Sequence, residues 1–118
     1  MQISKRKVNT ALEKQVEKMW YQLVADIKTP EEAEKIFGDL FSGTELSAIT
    51  KRLAVGYWLL KKRSYENIKE NLKVSSATIA SVQHKLGGEG WKKAFFRVTA
   101  DEWANVWEQK IRKFLKKR

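Results

Sequence analysis

The chain of 118 residues is predicted to be all-α, on three observations. Apolar residues recur at helical spacing almost throughout, Gly and Pro fall only at a few points that read as boundaries, and hydroxyl residues stand where helix starts need them. A first helix is expected over residues 8–27, with Leu12, Val16, Met19, Trp20, Leu23, Val24 and Ile27 forming a broad apolar face. Thr29-Pro30-Glu31-Glu32 opens a second, running to about Phe41: Thr29 caps, Pro30 fills a first-turn position that needs no amide, and Glu32 holds the capping-box place. Ser42-Gly43 ends it, and Ser42 or Thr44 caps a third helix over residues 45–62, whose Leu46, Ile49, Leu53, Trp58 and Leu60 are core candidates. Gly56 within it suits close helix packing. Two short helices follow over 65–72 and 76–86, and Gly87-Gly88-Glu89-Gly90 reads as a flexible joint. Beyond it a short helix over 91–98 and a last one opened by Thr99-Ala100-Asp101-Glu102 are expected. The last helix begins apolar, with Trp103, Val106, Trp107, Ile111, Phe114 and Leu115 on one side. It ends basic, with Lys110, Arg112, Lys113, Lys116, Lys117 and Arg118 complementing the helix dipole.

Composition narrows the function. A hydrophobic content of 42% with five Trp suits the core of one all-helical domain over residues 1–118. No run approaches the roughly 18–20 apolar residues of a bilayer span. No apolar stretch follows the basic N-terminal residues as in a secretory signal, so a cytoplasmic protein without a membrane partner is expected. With no Cys and a single His84, thiolate chemistry and Cys/His metal clusters are excluded. No carboxylate pair, nucleophile–base set or phosphate loop stands out, so neither catalysis nor a cofactor is expected. The net charge of +10 is uneven. Residues 1–59 hold 9 Lys and Arg against 8 Asp and Glu, whereas residues 60–118 hold 15 against 6. A basic field of that kind concentrates polyanions and favours binding by counterion release from phosphates.

Residues 68–82, IKENLKVSSATIASV, lie inside the basic half and carry the pattern of a helix-turn-helix unit spanning 65–86. Ile68 and Leu72 supply the apolar contacts of the first helix, Val74 that of the turn, and Ile79 and Val82 those of the second helix. Lys73 holds the turn position where Gly is usual, because the backbone there often takes positive φ. Ser75 and Ser76 can accept from free amides at the second helix start. Placing Ile79, Val82 and Leu86 inward leaves Ala77, Ala80, Ser81 and His84 outward, with Thr78 and Lys85 at the edge, as the expected DNA-contact set. No Arg, Asn or Gln among them makes a bidentate base contact. Water-mediated contacts, thymine methyl contacts and DNA shape would carry much of the selectivity. Phosphate contacts fall to Lys61, Lys62, Arg63, Lys69, Lys73 and Lys85, with hydroxyl or helix-end amide contacts from Ser75 and Ser76. Capping alone explains the two serines as well, and Lys61, Lys62 and Arg63 equally serve the end of the third helix.

The third helix together with this unit resembles the Trp repressor family, in its Trp repressor-like branch, over about residues 41–86. Glu45, Ala48, Arg52, Leu53, the Leu59-Leu60 pair, Ile68, Lys69, Leu72 and Ala77-Thr78-Ile79 carry the likeness. The resemblance implies an all-helical, interwoven homodimer that binds double-stranded DNA as a transcriptional repressor. In tryptophan-binding members an Arg ahead of the reading unit contacts the corepressor, and Arg52 stands at that place; Thr78 matches a further pocket position. Pairing of Arg52 with Glu45 or Asp39 is the alternative to a ligand. The pocket's Arg-Gly pair is Ser81-Val82 here, which removes a planar cation and fills space beside an indole. Free tryptophan is therefore not expected as corepressor, and the effector, if any, is unknown. Residues 1–7 form a basic arm that follows DNA or is a solvated tail. Residues 91–118 form a C-terminal helical extension beyond the likeness. Its basic, Trp-rich face supports an alternative function, a protein-interaction or membrane-surface module.

Overall fold

The computed structural model describes residues 9–116, and of Trp107 and Lys116 the backbone. The basic arm at 1–7, together with Lys117 and Arg118, lies outside the described residues. Six helices and no strand occur among them: α1 (Thr10–Asp26), α2 (Pro30–Leu40), α3 (Gly43–Leu60), α4 (Tyr65–Leu72), α5 (Ser76–Lys85) and α6 (Glu89–Lys116). The chain divides within α3 into two compact units, Met1–Ile49 and Thr50–Arg118.

In the first unit each helix start is closed by a side chain. Asn9 Oδ1 accepts from the amides of Ala11 and Leu12 at the start of α1. Thr29 Oγ1 accepts from the Glu32 amide at the start of α2, where Pro30 fills the first position. Ser42 and Glu45 form a reciprocal capping box at the start of α3: the Glu45 amide donates to Ser42 Oγ at 3.1 Å, and the Ser42 amide donates to Glu45 Oε1 at 2.8 Å. Ser42 is thus the cap that the sequence left shared with Thr44. Trp20, Phe37 and Phe41 pack as an aromatic triad, with ring centroids 5.7–6.0 Å apart in tilted and edge-on arrangements. Helix α1 buries no residue fully, and Leu12, Val16, Met19 and Val24 of its apolar face are exposed.

The second unit holds the core. Val55 of α3, Ile68 of α4, and Ile79 and Val82 of α5 are completely buried in one cluster, flanked by half-buried Trp58, Leu59, Leu72, Val74, Leu86 and Trp91. Each such burial stabilises by about 1.5–3 kcal/mol relative to exposure. The face of α3 that enters this core differs from expectation: Ile49, Leu53 and Leu60 are exposed, whereas Val55 and Gly56 are buried. The cause is that α3 is apolar on nearly every side, so periodicity does not choose a face. Gly56 lies under the Trp91 ring of α6, and a Cβ there would stand 2.5 Å from Cζ3.

The region after α5 also departs from expectation. Gly87 and Gly88 make a tight turn, with the Gly88 amide donating to the Lys85 carbonyl at 3.0 Å, and one continuous helix follows in place of two. Thr99 does not cap. Its hydroxyl donates back to the Phe95 carbonyl at 2.7 Å and the Phe96 carbonyl at 3.2 Å, which satisfies it inside a helix and lets α6 run through. Tyr57 donates to Glu102, which also pairs with Lys61 at 3.6 Å, so α6 is held to α3 beyond Thr99.

Two outcomes follow. Gly56→Ala should destabilise despite the roughly 1 kcal/mol of helix propensity gained, because overpacking against Trp91 costs about 1–3 kcal/mol; urea unfolding of the variant measures the balance. The Glu45 carboxyl is held below its usual range by the Ser42 amide and then the Ser42 hydroxyl. A depressed folded value means its stabilisation is present above the ordinary value of 4.5 and is lost as pH falls through the folded one. An NMR titration following the Glu45 side-chain carbon should therefore show a midpoint below 4.5 that moves up towards it in Ser42→Ala.

Candidate nucleic-acid interface

Helices α4 and α5 are short, at 8 and 10 residues. Isolated helices of that length are marginal in water, so tertiary packing and caps hold them. Ser64 Oγ accepts from the Asn67 amide to start α4, and Ser75 Oγ accepts from the Thr78 amide at 3.1 Å to start α5. Between them Lys73 takes φ 55° and ψ 49°, the left-handed state read for that turn position, and its amide donates to the Lys69 carbonyl at 3.1 Å. That single bond from the left-handed residue back across the last turn ends α4 and redirects the chain into α5.

The end of α3 is built in a related way. Lys62 also takes positive φ, at 64°. Its amide donates to the Leu59 carbonyl and that of Arg63 to the Trp58 carbonyl, which together form a Schellman motif. The Arg63 guanidinium then lies 4.2 Å from the Trp58 ring centroid and donates to Asn67 Oδ1 at 3.2 Å, clasping the α3–α4 turn.

The sequence-predicted contact residues separate into two groups. Ala77, Ala80, Ser81, His84 and Lys85 are exposed on α5, with Ile79 and Val82 opposite them in the core. Gln83 is exposed as well, and Thr78 is half-buried. Two members of the set have intramolecular partners: Thr78 Oγ1 lies 3.0 Å from Ser75 Oγ, and Ser81 Oγ accepts from Arg52 at 3.3 Å. Arg52 thus reaches the reading helix, while Glu45 is engaged with Ser42. Ser75 is a cap; Ser76 is exposed in the first turn. Of the cations, Lys61 is paired with Glu102 and sits 5.4 Å from the Tyr57 ring centroid, and Arg63 stacks on Trp58. Lys62, Lys69, Lys73 and Lys85 are exposed. The Tyr57–Glu102 and Arg52–Ser81 links were missed in the sequence. They join residues 45 and 29 positions apart, and no local pattern marks such a pair.

Two short helices crossing through a left-handed turn, with one buried against the scaffold and outwardly lined by small and basic side chains, define a helix-turn-helix protein. The chain belongs to the Trp repressor family: the family model described as Trp repressor protein matches residues 15–97. That family is one of helix-turn-helix DNA-binding regulators, and the all-α fold is Trp repressor-like. A crystal structure of a TrpR like protein from Eubacterium eligens superposes with a TM-score of 0.70 at 28% identity, covering 77% of this chain and 96% of that one. No curated protein matches the chain. Residues 98–116, the distal part of α6, lie beyond the family match. No helix among the described residues is long and apolar enough to cross a membrane.

Proposed function

We propose that this protein is a sequence-specific transcriptional regulator, a repressor, that binds duplex DNA through α5 as a homodimer. The observation that carries the reading is the exposed face of α5, formed by Ala77, Ala80, Ser81, His84 and Lys85 and backed by the wholly buried Ile79 and Val82. That face suits methyl, water-mediated and shape-based readout more than bidentate base contacts. Dimerisation is supported by the exposed Leu12, Val16, Met19 and Val24 of α1, together with Ile49, Leu53 and Leu60 of α3. Two copies would set two reading helices about 34 Å apart on a pseudo-palindromic site. Phosphate contacts are assigned to Lys62, Lys69, Lys73 and Lys85, with Lys61 and Arg63 contributing to the field from their intramolecular pairs. Residues 1–118 act as one regulatory domain in which 1–7 serve as a basic arm, 65–86 as the reading unit and 91–118 as the extension.

Free tryptophan is not the corepressor in this reading. Val82 is fully buried, and Ser81 is engaged with Arg52, where the tryptophan-binding members have an Arg-Gly pair. A second reading assigns α6 to a partner protein or membrane surface. Its support is the exposure of Phe96, Val106, Ile111 and Leu115 beside Lys110, Arg112 and Lys113, all but Phe96 beyond the family match.

Footprinting with selected random fragments tests DNA binding. A protected pseudo-palindrome is expected, with Ala80→Asp lowering affinity more than about tenfold through repulsion from the phosphates and lowering the melting temperature by only about 3 °C through lost helix propensity. Failure to protect any site above random DNA would remove the regulator reading and leave the α6 reading standing. Calorimetry with L-tryptophan is expected to give no binding heat. Micromolar binding that also tightens affinity for the protected site would overturn the corepressor assignment.

A further inference from the structure

Lys62 and Lys73 are the residues other than glycine that take positive φ among the described residues, and none of the six glycines does so. The left-handed state is where glycine is favoured at a helix end, and a side chain with a Cβ is held there against steric opposition. At both positions this sequence places lysine. A favourable meeting with the helix dipole does not account for the choice, because a lysine in the last helical turn has the same benefit without the conformational cost. The other caps give the contrast. Helices α1 and α2 end on Ile27 and Phe41 in extended backbone, and α5 ends on Leu86 in right-handed backbone. Left-handed lysines therefore occur at the two helix ends that bracket α4 and at none of these three.

Their surroundings point the same way. Lys61 and Arg63, on either side of Lys62, are engaged by Glu102, Tyr57, Trp58 and Asn67. The amines of Lys62 and Lys73 have no ion-pair partner among the described residues, and both side chains are exposed. Helix α4 has eight residues and a length of about 12 Å, which separates the two lysines enough to reach different phosphates. In helix-turn-helix docking the first helix crosses the nucleic-acid backbone, which is where cations at its two ends meet phosphates.

We propose that Lys62 and Lys73 are a pair of phosphate-anchoring residues clamping α4 to the DNA backbone, held in left-handed backbone at a cost to stability that glycine would relieve. The proposal rests on the DNA-binding reading and deepens it by singling out two of its four phosphate-contacting lysines as the anchors and giving their conformational cost.

The test uses the full-length protein and a duplex carrying the footprinted site. Lys62→Gly and Lys73→Gly should each raise the melting temperature by roughly 4 °C. Each should also lower the slope of log affinity against log salt by about 0.9 per phosphate contact removed. Lys62→Asn and Lys73→Asn, with a side chain at ease in left-handed backbone, should give the same change of slope without glycine's added chain freedom. Lys62→Arg and Lys73→Arg should keep the slope, as should Lys35→Gln, which removes the same charge from α2. An unchanged slope in the Gly and Asn variants overturns the proposal, as does a fall in melting temperature for both Gly variants. Either result leaves the DNA-binding reading intact, since that reading fails only if the unsubstituted protein shows no salt-dependent affinity for duplex DNA.

Discussion

The packing of Val55 against Ile68, Ile79 and Val82 is the constraint from which the second unit takes its form. Each of the four is a β-branched side chain with no exposed surface, and together they come from three helices. A branched side chain has few rotamers, so such a cluster fixes the crossing of helices more sharply than flexible side chains do. Neither α4 nor α5 is long enough to persist alone, so both their helicity and their orientation depend on this contact. The outward face of α5 is a consequence: with Ile79 and Val82 locked inward, Ala77, Ala80, Ser81 and His84 have one direction left.

Around that core the polar links act as restraints on the same geometry. Arg52 holds Ser81 from α3, Arg63 closes the α3–α4 turn by stacking on Trp58, and Tyr57 with Lys61 holds Glu102 of α6. Each is at least partly solvent-exposed, so each contributes modestly in energy. Their effect is directional, since they pin the ends of helices whose middles are held by apolar packing. The left-handed lysines fit this picture as positions where backbone comfort is given up for a charge beside the reading unit.

Much of this was legible in the sequence because it was written in local signals. Thr29-Pro30, Ser42 and Ser75 mark three helix starts, and Ile68, Leu72, Val74, Ile79 and Val82 identify the crossing pair. Lys73 departs from the Gly usual at its turn position and still takes the left-handed state that the position calls for. What failed was information that is not local. Periodicity does not mark Val55, because α3 offers apolar residues on several faces and only the tertiary partners choose among them. Thr99 has the composition of a cap, yet its hydroxyl is satisfied within the helix, so a start signal stands where the chain continues. The Gly-rich stretch marked a true boundary, although Glu89 and Gly90 already belong to α6. At the interface, exposure on α5 followed from the 100° periodicity, whereas the intramolecular partners of Ser81, Lys61 and Arg63 did not.

Helix α5 has no independent stability and is held in place by the buried quartet. Native-state amide hydrogen exchange measures this most directly. The amides of Ile79, Val82 and their neighbours in α5 should exchange only through the opening that also releases Val55 and Ile68, with equal free energies and equal denaturant dependence. Exchange of the α5 amides through a separate, lower-energy opening, while α3 and the Ile68 turn of α4 remain protected, would contradict it.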